Sequence, residues 1–188
     1  MTWFETFPVI RMDSVVLSPL SEEDGTGLFR LYSDRSVCRF LQRDPMADEE
    51  EALKLITKWR EDFSVQRGIR WGIYDNKEES PRLLMGTVAI HYVDIKNKRA
   101  ELGADLLPCY WGRGIITRLT EKLKEIAFQH LELHRLEIRC MPENKASVRI
   151  ALKSGFTYEG TLRDYVFIPG KGFTDESVYS LLASEYGS

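Results

Sequence analysis

Apolar side chains recur at helical spacing over Ala52, Leu55, Ile56, Trp59 and Phe63. An acidic first turn, Asp48-Glu49-Glu50-Glu51, precedes them, where the helix dipole favours negative charge. A second helix start, Ser21-Glu22-Glu23-Asp24, has the form of a capping box, and both helices are predicted to lie on a sheet. The strongest amphipathic pattern begins near Gly112. Ile115, Ile116, Leu119, Leu123, Ile126 and Ala127 share one face, and Arg118, Lys122, Glu125 and Gln129 take the other. A shorter helix is predicted over Lys145 to Lys153.

Alternation and β-branched runs predict strands at Val15 to Leu20, Arg70 to Asp75, Leu83 to Val93 and Arg99 to Leu107, with Pro108 ending the fourth by removing a backbone donor. Further strands are predicted at Leu136 to Met141, around Tyr158 to Ile168 and at Glu176 to Leu182. Turns at Asn76 to Pro81 and Pro169 to Gly172 close two hairpins. The middle order of strand, helix and strand is a βαβ crossover inside a sheet otherwise built from hairpins. A mixed, mostly antiparallel sheet of about six to seven strands and the α+β class follow. No repeat, low-complexity tract or linker interrupts the chain, so residues 1–188 read as one domain.

Composition mainly excludes. With 43% hydrophobic and 29% charged residues the chain reads as globular. A net charge of −3 without a basic run argues against direct nucleic-acid binding. Cys38, Cys109 and Cys140 are widely spaced and only three histidines accompany them, so no metal is expected. The N-terminus lacks a basic start and a long apolar stretch, and no run approaches the roughly 20 apolar residues of a membrane span. No membrane association and a cytoplasmic location are expected, which suits free thiols.

The segment Tyr110-Trp111-Gly112-Arg113-Gly114-Ile115-Ile116-Thr117 carries the clearest chemistry. Two glycines one residue apart at a helix start let the backbone approach a bulky anion, and the unpaired N–H groups of the first turn favour a phosphate or pyrophosphate there. A dinucleotide fingerprint would need a third glycine at Thr117, and a Walker loop would need Gly-Lys-Ser/Thr. A helix that simply begins with a tight turn is the alternative.

In this context the chain resembles the GNAT superfamily of acetyl-CoA-dependent N-acetyltransferases, whose pyrophosphate loop reads Gln/Arg-x-x-Gly-x-Gly/Ala. Cys109 stands where that family usually has Gln or Arg, and both glycines match. A second family segment, Asn144 to Gly155-Phe156, follows the strand-like His134 to Cys140. The wording Ala100-Glu101-Leu102-Gly103, the loop itself, Asn144 with Ser147, and Glu159-Gly160-Thr161-Leu162-Arg163-Asp164-Tyr165 resemble the RimJ/RimL type, which modifies N-terminal amines of ribosomal proteins. The likeness extends from Val16-Leu17 to Ser180-Leu181.

The resemblance implies helices on both faces of the sheet and a splayed pair of parallel central strands with pantetheine between them. Backbone groups of Leu106 and Leu107 would bond pantetheine. Gly112, Arg113, Gly114, Ile115, Ile116 and Thr117 would hold the pyrophosphate, and Asn144 and Ser147 would meet the far end of the cosubstrate. Arg113 and Thr117 also read as solvated helix-start residues. The implied acceptor is a protein or peptide N-terminal amine, with a ribosomal-protein N-terminus in view. A small amine such as a polyamine, amino acid or antibiotic is the rival, and a non-catalytic acyl-CoA sensor is a third reading. Monomer and homodimer both remain open.

Transfer from a thioester needs a neutral amine and a fate for the thiolate. An α-amine with pKa near 8 is about one-tenth neutral at pH 7, a cost of roughly 1.4 kcal/mol, against about 4.6 kcal/mol for a lysine near 10.4. Glu101 is the candidate base, on the strand leading to the loop. Its alternative is an ion pair with Arg99 or Lys98, and alternation puts Glu101, Gly103 and Asp105 on one face. Ser147 is the candidate acid, since Ala151 stands where many of the family carry a tyrosine. Ser147 reads equally as a pantetheine-binding or merely first-turn residue, and Asn144 as an N-cap. Tyr165 is the candidate acceptor-lining residue or a strand aromatic. Cys140 and His91 receive no chemical role.

Overall fold

The computed structural model describes residues 2–76, 83–168 and 170–187. From residue 77 onward the first expected turn lies outside the described residues, as does Pro169 of the second. The strands are β1 (Ile10–Arg11), β2 (Val15–Pro19), β3 (Gly68–Asp75), β4 (Leu84–Asp94), β5 (Arg99–Leu106), β6 (Arg135–Cys140), β7 (Thr157–Ile168) and β8 (Gly172–Leu182). They form one sheet in the order β1-β2-β3-β4-β5-β6-β8-β7, in which β5 and β6 are the parallel pair and the other neighbours run antiparallel. The described residues thus hold eight strands rather than six to seven. The additional one is β1, whose two residues pair with Leu17 and Val16 and are too few to show a period.

Helices α1 (Gly25–Ser33), α2 (Arg35–Cys38), α3 (Glu49–Ser64), α4 (Ile115–Glu125) and α5 (Lys145–Lys153) complete the fold. Their starts are chemically marked. Asp34 accepts from the Ser36 N–H at 2.7 Å for α2 and Asp48 from the Glu51 N–H at 3.1 Å for α3, while the expected box closes a 3-10 turn just before α1, where Asp24 accepts from the Ser21 N–H at 2.7 Å. Helix α2 is not among the predicted elements, because four residues show no apolar face. The expected helix from Gly112 begins at Ile115, and its C-terminal end widens into a π-turn over Ile126–His130.

Neighbouring residues of the strands go to opposite cores. Ile73 joins Ile69, Trp71, Ile90 and Leu136 under α4 and α5, whereas Tyr74 joins Leu84 and Leu107 under α1, α2 and α3. The second set of helices covers chiefly the β2 to β4 end of its face. Over β5, β6 and β8 that face carries Glu101, Glu137, Arg139 and Glu176 instead, which leaves a polar bed beside the covering helices.

Candidate active site

At the start of α4, Gly112 has φ 74° and Gly114 has φ 71°, a left-handed conformation that only glycine adopts without strain. Gly114 is the N-cap and supplies no side chain to its helix. A Cβ built on Gly112 would meet nothing within 4 Å, and one on Gly114 would meet Arg118 Nη1 at 3.5 Å. The backbone at the head of α4 is thus uncrowded beside both glycines, and a helix start of this kind, whose first-turn N–H groups have no helical partner, suits an anion. Ile115 is buried and anchors the turn, while Ile116 and Thr117 are half-buried. Arg113 folds back along the loop: its Nη2 donates to the Cys109 carbonyl at 2.8 Å and its guanidinium sits 5.4 Å from the Tyr110 ring centre. That holds its charge against the loop's own backbone and ring.

The parallel ladder is short. Arg99 pairs with Arg135, Ala100 with Leu136 and Glu101 with Glu137, after which β5 runs on to Leu106 and β6 to Cys140 without further pairing. The Leu107 N–H donates to the Met85 carbonyl at 2.9 Å, so the odd-numbered backbone groups of this segment face β4. By strand alternation Leu102, Ala104 and Leu106 turn theirs toward the opening. Of the two residues expected at the pantetheine, Leu107 has its carbonyl taken by the Tyr110 N–H at 2.9 Å, and the Leu106 carbonyl accepts from the Trp111 indole at 2.6 Å. The Leu106 N–H remains directed into the gap. Trp111 thereby ties the loop to the end of β5.

Where the pairing ends, four strands align in one row: Gly68, His91, Glu101 and Glu137. Above it lies a cleft of about 620 Å³ whose walls include Lys58, Trp59, Arg67, Arg70, Arg99 and Arg139, with Glu101 and Glu137 on the floor. Arg139 is shared: it donates to Glu137 at 2.9 Å and lies 3.4 Å from Glu101 and 3.6 Å from Glu176. Burial pushes Glu101 up to about 7, against the pull of Arg139 and helped by the nearby Glu137 and Glu176. Glu176 is also raised by burial, although Arg139 and the Gln42 amide at 3.1 Å counter it. Glu137 behaves oppositely. Burial acts to raise it, but hydrogen bonds from Arg135 and Arg139 outweigh that and hold it low. Glu101 is thus the carboxyl on the cleft floor poised to exchange a proton near neutral pH.

The acetyltransferase (GNAT) domain family matches residues 14–157, more than half of the chain. The chain belongs to the GNAT acetyltransferase family. It is similar to the Bacillus subtilis (strain 168) N-acetyltransferase YoaA, at 33% identity over 178 residues, which cover 94% of this chain and 97% of that one. It is also similar to the spermidine N(1)-acetyltransferase of Escherichia coli (strain K12), at 29% identity over 158 residues, 84% of this chain and 81% of that one. In fold it matches the microcin C7 self-immunity acetyltransferase MccE, solved in complex with acetyl-CoA and AMP, with a TM-score of 0.80, 23% identity and coverage of 91% of this chain and 93% of that one. Acetyl-CoA is the cosubstrate and N-acetyl transfer the reaction class.

In this GNAT enzyme the remaining site candidates come from α5 and β7. Ser147 is half-buried in the first turn of α5, and its N–H donates to the Asn144 side chain at 3.2 Å. Asn144 is therefore the N-cap of α5, which fixes the turn that carries Ser147. Tyr165 is exposed on β7 with its hydroxyl at the Arg139 guanidinium. The ion-pair partner of Glu101 is Arg139 from the next strand; Arg99 turns to Asp94 at 3.4 Å.

Most of the acetyltransferase's polar bed lies outside the residues singled out by motif or period. Arg70 donates to Thr87 at 2.9 Å, lies 3.6 Å from Asp105 and sits over the Trp59 ring at 4.6 Å. Tyr32 donates to Asp105 at 2.8 Å, reaching in from α1. His91 lines the cleft and is pushed down to about 3 by burial and then by Arg70 and Lys58, so it stays neutral. The legible signal was charge at every second position of strands predicted to be central: Arg135, Glu137 and Arg139 beside Glu101 and Asp105. Among the described residues no three His, Cys, Asp or Glu side chains are placed to hold a metal ion, and no helix is long and apolar enough to cross a membrane.

Proposed function

We propose that this GNAT enzyme acetylates the α-amine of a peptide or protein N-terminus by direct attack, as the RimJ/RimL resemblance suggests. The observation that carries the reading is the position of Glu101. It is the last residue of the parallel register, so an acetyl group threaded through the gap beyond it arrives beside a carboxyl raised to about 7. Acetyl-CoA supplies the activated carbonyl carbon and the thiol that departs when the C–S bond breaks. The chain supplies the rest. The α4 N-terminus from Gly112 to Thr117, with Arg113, holds the pyrophosphate, and the Leu106 N–H lines the pantetheine path, the backbone groups of Leu107 being bonded to Met85 and Tyr110. Glu101 receives the proton lost by the nitrogen as the N–C bond forms, directly or through one water. Ser147, set by the Asn144 cap, offers its hydroxyl to the departing sulfur, and Tyr165 lines the acceptor side. A ribosomal-protein N-terminus is one acceptor of this kind. The reading sets the enzyme in the cytoplasm, where its three unbridged cysteines are at home.

Arg67, a cleft cation with no carboxylate partner among the described residues, supports an N-terminal acceptor over a polyamine, which would carry further positive charge toward it. Acetylation of a peptide library with free and blocked N-termini, alongside small amines, tests the reading. Transfer confined to free peptide N-termini is expected. Preference for spermidine would refute the acceptor, and binding of acetyl-CoA without turnover on any amine would refute the enzymatic role.

A further inference from the structure

The cleft floor and its far wall differ in charge. The floor carries Glu101 and Glu137, whereas the wall made by α3, its following turn and the start of β3 carries Lys58, Arg67 and Arg70 against the single acid Asp62. Most cations of the lining are matched. Lys58 pairs with Asp62 at 2.8 Å, Arg99 with Asp94 at 3.4 Å, Arg139 with Glu137 at 2.9 Å and Arg70 with Asp105 at 3.6 Å. Arg67 has no carboxylate partner among the described residues. Its backbone is nonetheless tied at both ends: its N–H donates to the Asp62 carbonyl at 2.8 Å, and its carbonyl accepts from the Val93 N–H at 2.9 Å. Arg67 is exposed and lines the cleft whose floor includes Glu101, so its guanidinium is an unmatched cation at the cleft's edge on a tied backbone.

We infer that Arg67 is the core of an anion subsite, and that the acceptor is an amine carrying a carboxylate on the order of 10 Å from the nitrogen to be acetylated. The span follows from the register. Gly68 and Glu101 lie in one row with one strand between them, and two strand spacings amount to about 10 Å. An extended peptide advances about 3.4 Å per residue, so a side-chain carboxylate at the second or third position reaches that far from the α-nitrogen. A peptide N-terminus with Asp or Glu at one of those positions satisfies both ends of the cleft. The inference rests on the N-terminal acceptor proposed above. It adds that the acceptor is acidic close to its end.

The test measures kcat/KM for hexapeptides identical except for Glu, Gln or Lys at the third position, and again for Asp, Asn or Lys at the second, with spermidine as a separate arm. Wild-type enzyme is expected to favour an acidic peptide over its amide isostere about fivefold to tenfold, chiefly through KM, the scale of one partly exposed charge-assisted contact. That ratio should shrink with added salt. Arg67→Gln should collapse it toward one, and Arg67→Lys should restore part of it; unaltered melting of both variants confirms that each is folded. Equal turnover of acidic and neutral peptides, or a ratio that survives Arg67→Gln, overturns this inference while leaving the peptide acceptor intact. Turnover of spermidine alone, or of nothing, overturns both.

Discussion

Replacing Glu101 with glutamine should make the protein more stable at pH 8 and leave it nearly unchanged at pH 4.5. Glu101 titrates near 4.5 when solvated and near 7 in the fold, chiefly because burial penalises its charge. Between those values the folded chain binds a proton that the unfolded chain has released, so stability at this site falls as pH rises through the window and levels off above about 7. At about 1.4 kcal/mol for each factor of ten in proton affinity, the full penalty is about 3 kcal/mol. The side chain is 22% exposed, so solvent screening trims this only modestly and about 2 to 3 kcal/mol is expected. Glutamine keeps the shape and never ionises, and Arg139 retains Glu137 at 2.9 Å and Glu176 at 3.6 Å in the variant. Other titrating groups, such as Glu159 held down at about 2 by Arg135, slope the same way in both proteins and cancel in the difference. Urea or thermal unfolding of both proteins from pH 4.5 to 8.5 reads the effect, with a gap in Tm opening to several degrees at the alkaline end. A difference that stays flat, or a variant less stable at pH 8, would mean that Glu101 is an ordinary ionised partner of Arg139 and would remove the physical basis for its role as base.

In catalysis the same Glu101→Gln variant should lose most activity near pH 7 to 8, by about 10² at the low end of general-base effects; the deficit narrows at pH 6, where the wild-type base is protonated, and above pH 9, where the amine is neutral unaided. A constant deficit across the pH–rate profile refutes the assignment. Gly114→Val forces a β-branched residue to a φ of 71° and should weaken CoA binding at least tenfold by calorimetry, with Gly114→Ala intermediate; an unchanged affinity in a folded variant removes the loop from the site. Ser147→Ala should lower kcat by about 10² with CoA affinity little altered if the hydroxyl serves the departing thiol, whereas a loss confined to CoA affinity makes Ser147 a binding residue only.

What local sequence could determine, it did. The period of Ala52 to Phe63 and of Ile115 to Ala127, the capping box of Ser21 with Asp24, the acidic cap at Asp48, and the glycine pair at Gly112 and Gly114 act through residues a few positions apart, so the pattern carries their structure. The two-residue β1 and the four-residue α2 escaped because neither is long enough to show a period. The site depended on distance in the chain. Glu101 was identified as a candidate, but its partner Arg139 and its neighbours Glu137 and Glu176 come from β6 and β8. Arg67 and Trp59 reach the same cleft from the other end of the sheet. Strand register sets those approaches, and register is decided only when both cores close. The proton affinity of Glu101 likewise belongs to the assembled fold, because desolvation is a property of what surrounds a side chain and not of the residues beside it in sequence.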